Sequence, residues 1–121
     1  MNAVSIPPVP RLDVDRQDIA DRVLKASHIV ERQIAWALLH HLAAEFPGVK
    51  VVVDDGGERI PCDSPKDAME AIFAVDEAHI ILGKSWVFLV LGNGEDVISD
   101  YGVNDAVERA VDAAMVSVGL Q

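Results

Sequence analysis

Cysteine is almost missing from this chain. Cys62 stands alone, so there is no internal disulfide and no multi-cysteine zinc site, and a reducing compartment suits the single thiol. No apolar run approaches the roughly 20 residues of a membrane helix, so no membrane association is expected. The first ten residues, M-N-A-V-S-I-P-P-V-P, have no basic segment and no sustained apolar stretch. A signal peptide is therefore not expected, and the cytoplasm is the expected compartment. Basic side chains are scarce as well: 10 Lys and Arg stand against 20 Asp and Glu, for a net charge of −10. The deficit lies in residues 49–121, with five basic and fourteen acidic side chains, against five and six in residues 1–48. Such charge repels nucleic-acid phosphates and disfavours direct DNA or RNA binding. It serves solubility, or it offers an acidic face to a basic protein partner. No G-x-G-x-x-G, G-K-[ST] or H-E-x-x-H is present, and no motif implies a cofactor.

What the chain does have is a hydrophobic ribbon. Residues 86–94 read W-V-F-L-V-L-G-N-G: six apolar residues closed by a chain-reversal signal. Aromatic and β-branched residues favour a strand, and the run lacks helical spacing. Side chains alternate along a strand, so Trp86, Phe88 and Val90 share one face and Val87, Leu89 and Leu91 the other. Both faces are apolar, so both are expected to be covered, and the strand belongs inside a sheet. The second face is covered by the first helix or by another copy of the chain. Trp86, Phe88 and Val90 are accordingly the interface candidates, and a homo-oligomer is expected.

The remaining elements fall around that strand. Residues 1–12, with Pro7, Pro8 and Pro10, form an extended arm, either unstructured or laid on a neighbouring subunit. A single α+β domain occupies residues 13–121. It opens with a long helix capped by Asp13, with Asp15 and Asp18 in its first turn and Asp18/Arg22 and Asp21/Lys25 as i,i+4 pairs. A break near Ser27-His28 would divide it, and Phe46-Pro47-Gly48 ends it. Its half from Ile34 onwards, around Trp36, is expected to be the more buried. Strands at 49–54 and 58–62 are joined through Asp55-Gly56-Gly57, and Pro61 places the second at a sheet edge. Ser64-Pro65-Lys66-Asp67 starts a helix. A strand at 79–82 turns through Gly83-Lys84 into the ribbon. Residues 97–101 are a short strand or a packed loop, and Asn104 caps a last helix ended by Gly119. The order α-β-β-α-β-β-α gives an α+β fold: a mainly antiparallel sheet of four to five strands with the N- and C-terminal helices packed on it.

Several groups carry potential chemistry. Asp76, Glu77 and His79 cluster at one strand mouth, and the 92–96 loop lies at the same end. Asp76, His79, Asn93, Glu95 and Asp96, with Tyr101 beyond, are the ligand-binding candidates; several carboxylates with one imidazole suit a cation. A solvated acidic loop accounts for the same residues. His41 and Glu45 stand four apart on a helix, but zinc wants a third protein ligand. Cys62 has no activating neighbour and suits a half-buried structural role.

The segment W-V-F-L-V-L-G-N-G-E-D-V-I-S-D-Y, Trp86 to Tyr101, resembles the closing segment of small uncharacterised bacterial and phage-type proteins. The shared features are the aromatic strand, the G-N-G turn and I-S-D-Y before a last helix. The resemblance implies a bacterial or mobile-element origin and supplies no catalytic residues. Three classes of function remain. A non-enzymatic, self-associating acidic interaction protein fits best. The alternative is a small-molecule or metal-binding domain using the Asp76/His79/Asn93/Asp96 end of the sheet. An enzyme has the least support, since no catalytic signature is present and no catalytic residue is assigned.

Overall fold

Burial alternates one side chain at a time along residues 77–82. Ala78, Ile80 and Leu82 are buried, His79 and Ile81 are half-buried, and Glu77 is exposed. That is a strand with one face packed and one open. The computed structural model describes residues 4–14, 26–102 and 104–120. Helix α1 is Ala26–Glu45, followed by strands β1 (Val51–Asp54) and β2 (Arg59–Cys62) and helix α2 (Pro65–Ile72). Then come β3 (Glu77–Leu82), β4 (Ser85–Val90), a 3-10 turn (Gly94–Asp96), β5 (Ile98–Tyr101) and helix α3 (Asp105–Ser117). The five strands form one antiparallel sheet in the order β2-β1-β3-β4-β5. The fold is α+β, residues 97–101 contain a true fifth strand, and Pro61 does lie on an edge.

Local chemistry sets the ends of these elements. Ser64 Oγ accepts the Asp67 N–H at 3.1 Å with Pro65 in the first turn of α2. Asn104 Oδ1 accepts the Ala106 and Val107 N–H groups at 2.8 and 3.3 Å. Beyond α3, Gly119 has φ +79°, and the Leu120 N–H returns to the Met115 carbonyl at 2.9 Å. In the β1–β2 turn, Asp55 Oδ1 accepts from Gly57 at 2.9 Å and Glu58 at 2.8 Å. The edge strand β5 is blunted by an irregularity: Phe88 pairs with Asp100 but Leu89 with Ile98, so Ser99 bulges out.

Helix α1 is apolar nearly all round because it is packed nearly all round. Ile34 to Leu39 and Leu42 are buried. It runs against α3 and the 3-10 turn, while α2 packs over β1 and β2 and α3 reaches β4. The helix is continuous over Ala26–Glu45, and the stretch before Ala26, where a break near Ser27-His28 would part it from an earlier segment, falls outside the described residues. Asp13 and Val14 lie in a turn, and the Asp13 N–H donates to the Glu70 carboxylate. The expected helical start at Asp15 and Asp18 and the pairs Asp18/Arg22 and Asp21/Lys25 fall outside the described residues. The described part of the arm lies on its own chain: Trp36 Nε1 donates to the Pro7 carbonyl at 2.7 Å, and Leu12 is 1% exposed in the core.

Two charged side chains enter this packed layer. Arg32 lies 5.0 Å from the Phe73 ring centre. Glu31, only 3% exposed, accepts the Gly92 N–H at 2.7 Å and the Gly94 N–H at 3.1 Å through one oxygen. Both glycines have positive φ, +94° and +58°, which turns their N–H groups towards the carboxylate. Gly-Asn-Gly is thus an internal anion nest, and its anion is supplied by α1.

Two outcomes are expected. Glu31→Ala strands two donors and costs about 2–4 kcal/mol in urea unfolding, while Ile29→Ala, on the exposed side of α1, shifts it by under about 0.5 kcal/mol. The backbone N–H groups of Glu58 and Gly57 hold the Asp55 carboxyl below the usual carboxylate range. A depressed value stabilises the fold above the unfolded carboxylate pKa of about 3.9, and that contribution is lost as pH falls through the folded value. NMR titration of Asp55 is expected to give a midpoint below that of Asp55 in a peptide of residues 50–60.

Candidate interaction face

The site begins with a two-residue turn. Gly83 at φ +62° is followed by Lys84, and this fixes Leu82 opposite Ser85. The register then places Ile81 beside Trp86, His79 beside Phe88 and Glu77 beside Val90. All six point away from the helices. The His79 and Phe88 rings stack at 4.6 Å and 26°, and Trp86 meets His79 edge-on at 5.9 Å.

The neighbouring strands extend these pairs into two full cross-strand rows. One runs Arg59, Asp54, His79, Phe88, Asp100 from edge to edge. The other runs Pro61, Val52, Ile81, Trp86 and ends at Gly102, whose N–H donates to the Trp86 carbonyl at 3.1 Å. A Cβ on Gly102 would lie 2.8 Å from Trp86 Nε1, so the indole rests on bare backbone that only glycine provides. Arg59 Nε lies 3.4 Å from Asp54 Oδ2. A shallow concavity of about 430 Å³ opens between Arg59, His79, Ile81 and Trp86, closed at one end by the Gly83-Lys84 turn.

Of the two covers expected for the second face, the described part of the first helix is not one. Val87 and Leu89 are fully buried beneath the helices. Trp86, Phe88 and Val90 are half-buried and face outwards, because α1 packs on the same side of the sheet as α2 and α3. Leu91 lies just past the end of β4 and is half-buried.

The ligand-binding candidates are divided between surfaces. The Asp76 carbonyl accepts the Leu91 N–H at 2.8 Å, so the 92–96 loop does lie at that end of the sheet. Asp76, however, lines a depression with Asp55 and Glu77, whereas His79 lines the one beside Arg59 and Trp86. Asn93, Glu95 and Asp96 are exposed on a loop that Glu31 draws towards α1. Tyr101 pairs with Val87, half-buried on the packed face, away from His79. No three His, Cys, Asp or Glu side chains among the described residues gather as a metal site requires.

The histidine pair of α1 is engaged with α3. His41 Nε2 lies 2.9 Å from Ser117 Oγ, whose own hydrogen goes to the Ala113 carbonyl at 2.8 Å, so the imidazole is the donor. Glu45 turns instead to Arg109, accepting from Nε at 3.1 Å and Nη2 at 2.9 Å. His40 packs edge-on to Trp36 at 4.4 Å. Burial pushes both imidazoles down, helped at His40 by His41 and partly opposed at His41 by Glu45. Cys62 is 5% exposed, and burial, with Asp67 nearby, pushes its thiol up, away from reactivity.

Four contributors escape a reading of the sequence alone: Glu31, Arg59, Asp100 and Gly102. Hairpin register through Asp55-Gly56-Gly57 was the available signal for Arg59 opposite Asp54, whereas Asp100 is set in its row by the bulge at Ser99. Glu31 had none, its donors lying 61 and 63 residues away. Gly102→Ala is expected to displace the Trp86 indole, shifting its emission in a Trp36→Phe background and costing about 1–2 kcal/mol; unchanged emission would contradict the contact. Comparison with protein-family models finds none that matches this chain, and searches of curated proteins and of solved structures find no match.

Proposed function

We propose that this chain is a non-enzymatic interaction protein whose working surface is the open face of its sheet, and that it self-associates through that face. One observation carries the reading: Val52, Ile81, Trp86, Phe88 and Val90 form an apolar, aromatic band that the described helices leave uncovered. Apolar surface kept in water costs about 25 cal/mol per Å², so a partner surface is favoured there. Both sheet edges are poor docking strands, β2 because of Pro61 and β5 because of its bulge, so the face is the better route. The one imidazole of the band is stacked on Phe88, and the band's Asp54 is paired with Arg59, an arrangement suited to holding a surface.

The acidic side chains complement this reading. Asp67, Asp105, Glu108 and Asp112 are exposed on α2 and α3, opposite the band. They keep the helical layer wet and leave it free for a basic protein partner, while the net charge of −10 disfavours nucleic acid. No helix among the described residues is long and apolar enough to cross a membrane. A cytoplasmic setting matches the single buried thiol.

Sedimentation equilibrium tests the reading. The native chain is expected to move from monomer towards dimer across roughly the micromolar range, as an interface of modest size implies. Phe88→Glu is expected to remain monomeric at about 500 µM while keeping its far-UV CD spectrum, since the substitution puts a charge in the contact and leaves the packed face untouched. A native chain that stays monomeric at that concentration overturns the proposal.

A further inference from the structure

We infer that the open face is occupied by a second copy of this chain, related by a two-fold axis running along β3 in the plane of contact, so that Arg59 meets the partner's Asp100. The inference rests on the reading of this face as the working surface, and it adds the occupant's orientation.

The argument comes from the two cross-strand rows. Each has five positions, centred on β3, with one residue per strand save that Gly102 directly follows β5. A two-fold axis along β3 exchanges β2 with β5 and β1 with β4, and brings each row over its own reverse. In the first row Arg59 then lies over the partner's Asp100, and the same contact occurs again on the other side of the axis. Arg59 is already 3.4 Å from Asp54 within its own chain, so the guanidinium would sit between two carboxylates. In the second row Trp86 meets the partner's Val52, Ile81 meets the partner's Ile81, and Pro61 meets the flat backbone of the partner's Gly102. The bulky indole thus lies over a small side chain.

The alternative is an in-plane axis perpendicular to the strands. Through the first row it sets Arg59 over the partner's Arg59 and Asp100 over the partner's Asp100, a like-charge match at both edges, and between the two rows it sets Arg59 over the partner's Pro61 and Asp100 over the partner's Gly102, with no charge pair. Only the axis along β3 brings opposite charges together at both edges. Aligned sheets cross at about 30°, which displaces the row ends by about 5 Å, within the reach of an arginine. Five strands about 4.8 Å apart and about 17 Å long give a flat footprint near 400 Å² per copy. Side-chain relief brings the pair towards the roughly 1,000 Å² at which specific interfaces begin, so the dimer is reversible. Two kinds of contact oppose it: Glu77, exposed at the end of β3, would face the partner's Glu77, and Asp54 would face the partner's Phe88, while His79 meets the partner's His79.

Charge reversal decides the matter, with dissociation constants taken from sedimentation velocity at low salt and folding checked by thermal melts. Arg59→Asp and Asp100→Arg are each expected to weaken self-association at least about tenfold. The double variant, Arg59→Asp with Asp100→Arg, is expected to return to within about threefold of the native chain, and Glu77→Gln to tighten it. If the native chain dimerises and Phe88→Glu abolishes this, but the single reversals have no effect or the double variant shows no rescue, the orientation is wrong and the face reading stands. If the native chain does not dimerise, or Phe88→Glu dimerises as well as it does, both fall.

Discussion

A sheet packed by helices on one side only has to leave its other side to something else. That constraint governs this protein. The described helices pack on one side of the sheet, where Val53, Ile80, Val87 and Leu89 are completely buried. Among the described residues nothing comparable reaches Val52, Ile81, Trp86 and Phe88, which are half-buried. Period-two geometry makes the division strict, since a residue cannot change face without a bulge. A one-sided antiparallel sheet normally resolves this by turning polar residues outwards. Here Val52, Ile81, Trp86 and Phe88 lie at the centre of the open side beside Asp54 and His79, and Arg59 and Asp100 stand at the two edges.

The placement of those edges depends on a contact on the opposite side of the sheet. Glu31 in α1 grips the Gly92 and Gly94 N–H groups, and the Gly94–Asp96 turn is drawn against the helix. A Cβ on Gly94 would come within 3.4 Å of Ser27 Cβ, so the approach is close. The chain leaves this anchor as β5, and Val97 is buried while its carbonyl accepts the Val90 N–H at 2.9 Å. The bulge at Ser99 follows, and it is what returns Asp100 to the row of Phe88 and His79. Gly102 then passes beneath the Trp86 indole. A buried carboxylate in the helical layer therefore determines which residues stand at one edge of the open face.

How much of this was legible in the sequence follows from the range of each interaction. Caps and turns act over two to four residues, and Ser64, Asn104, Gly83 and Gly119 all do what their types imply. Pro61 at an edge needed only the missing donor. What alternation alone does not reveal is which face of 86–90 meets the helices, because Trp86, Phe88 and Val90 are as apolar as Val87 and Leu89. The difference arises from α1, whose apolar surface surrounds it because α3, the 3-10 turn and the arm enclose it, leaving no reason for it to cross the sheet. The Asp76–His79 grouping was drawn from adjacency in sequence. Asp76 precedes β3, while His79 is its third residue and points to the open side, so the two line different hollows.

The acidity of the chain bears on the proposed pairing in two opposite ways. Each copy carries a net charge of −10, and bringing two together is opposed by their mean field. That field acts over the Debye length, about 8 Å at physiological ionic strength, whereas most exposed acids of α2 and α3 lie a full layer behind the open face. Sheet and helix layers are packed about 10 Å apart, so at cellular salt these charges are largely screened from the contact. The Arg59–Asp100 contacts would be only a few ångströms long and partly dehydrated, and so less screened. Distance therefore sorts the charges into a repulsive far set and an attractive near set. The same carboxylates that keep the helical layer in water need not keep two sheets apart.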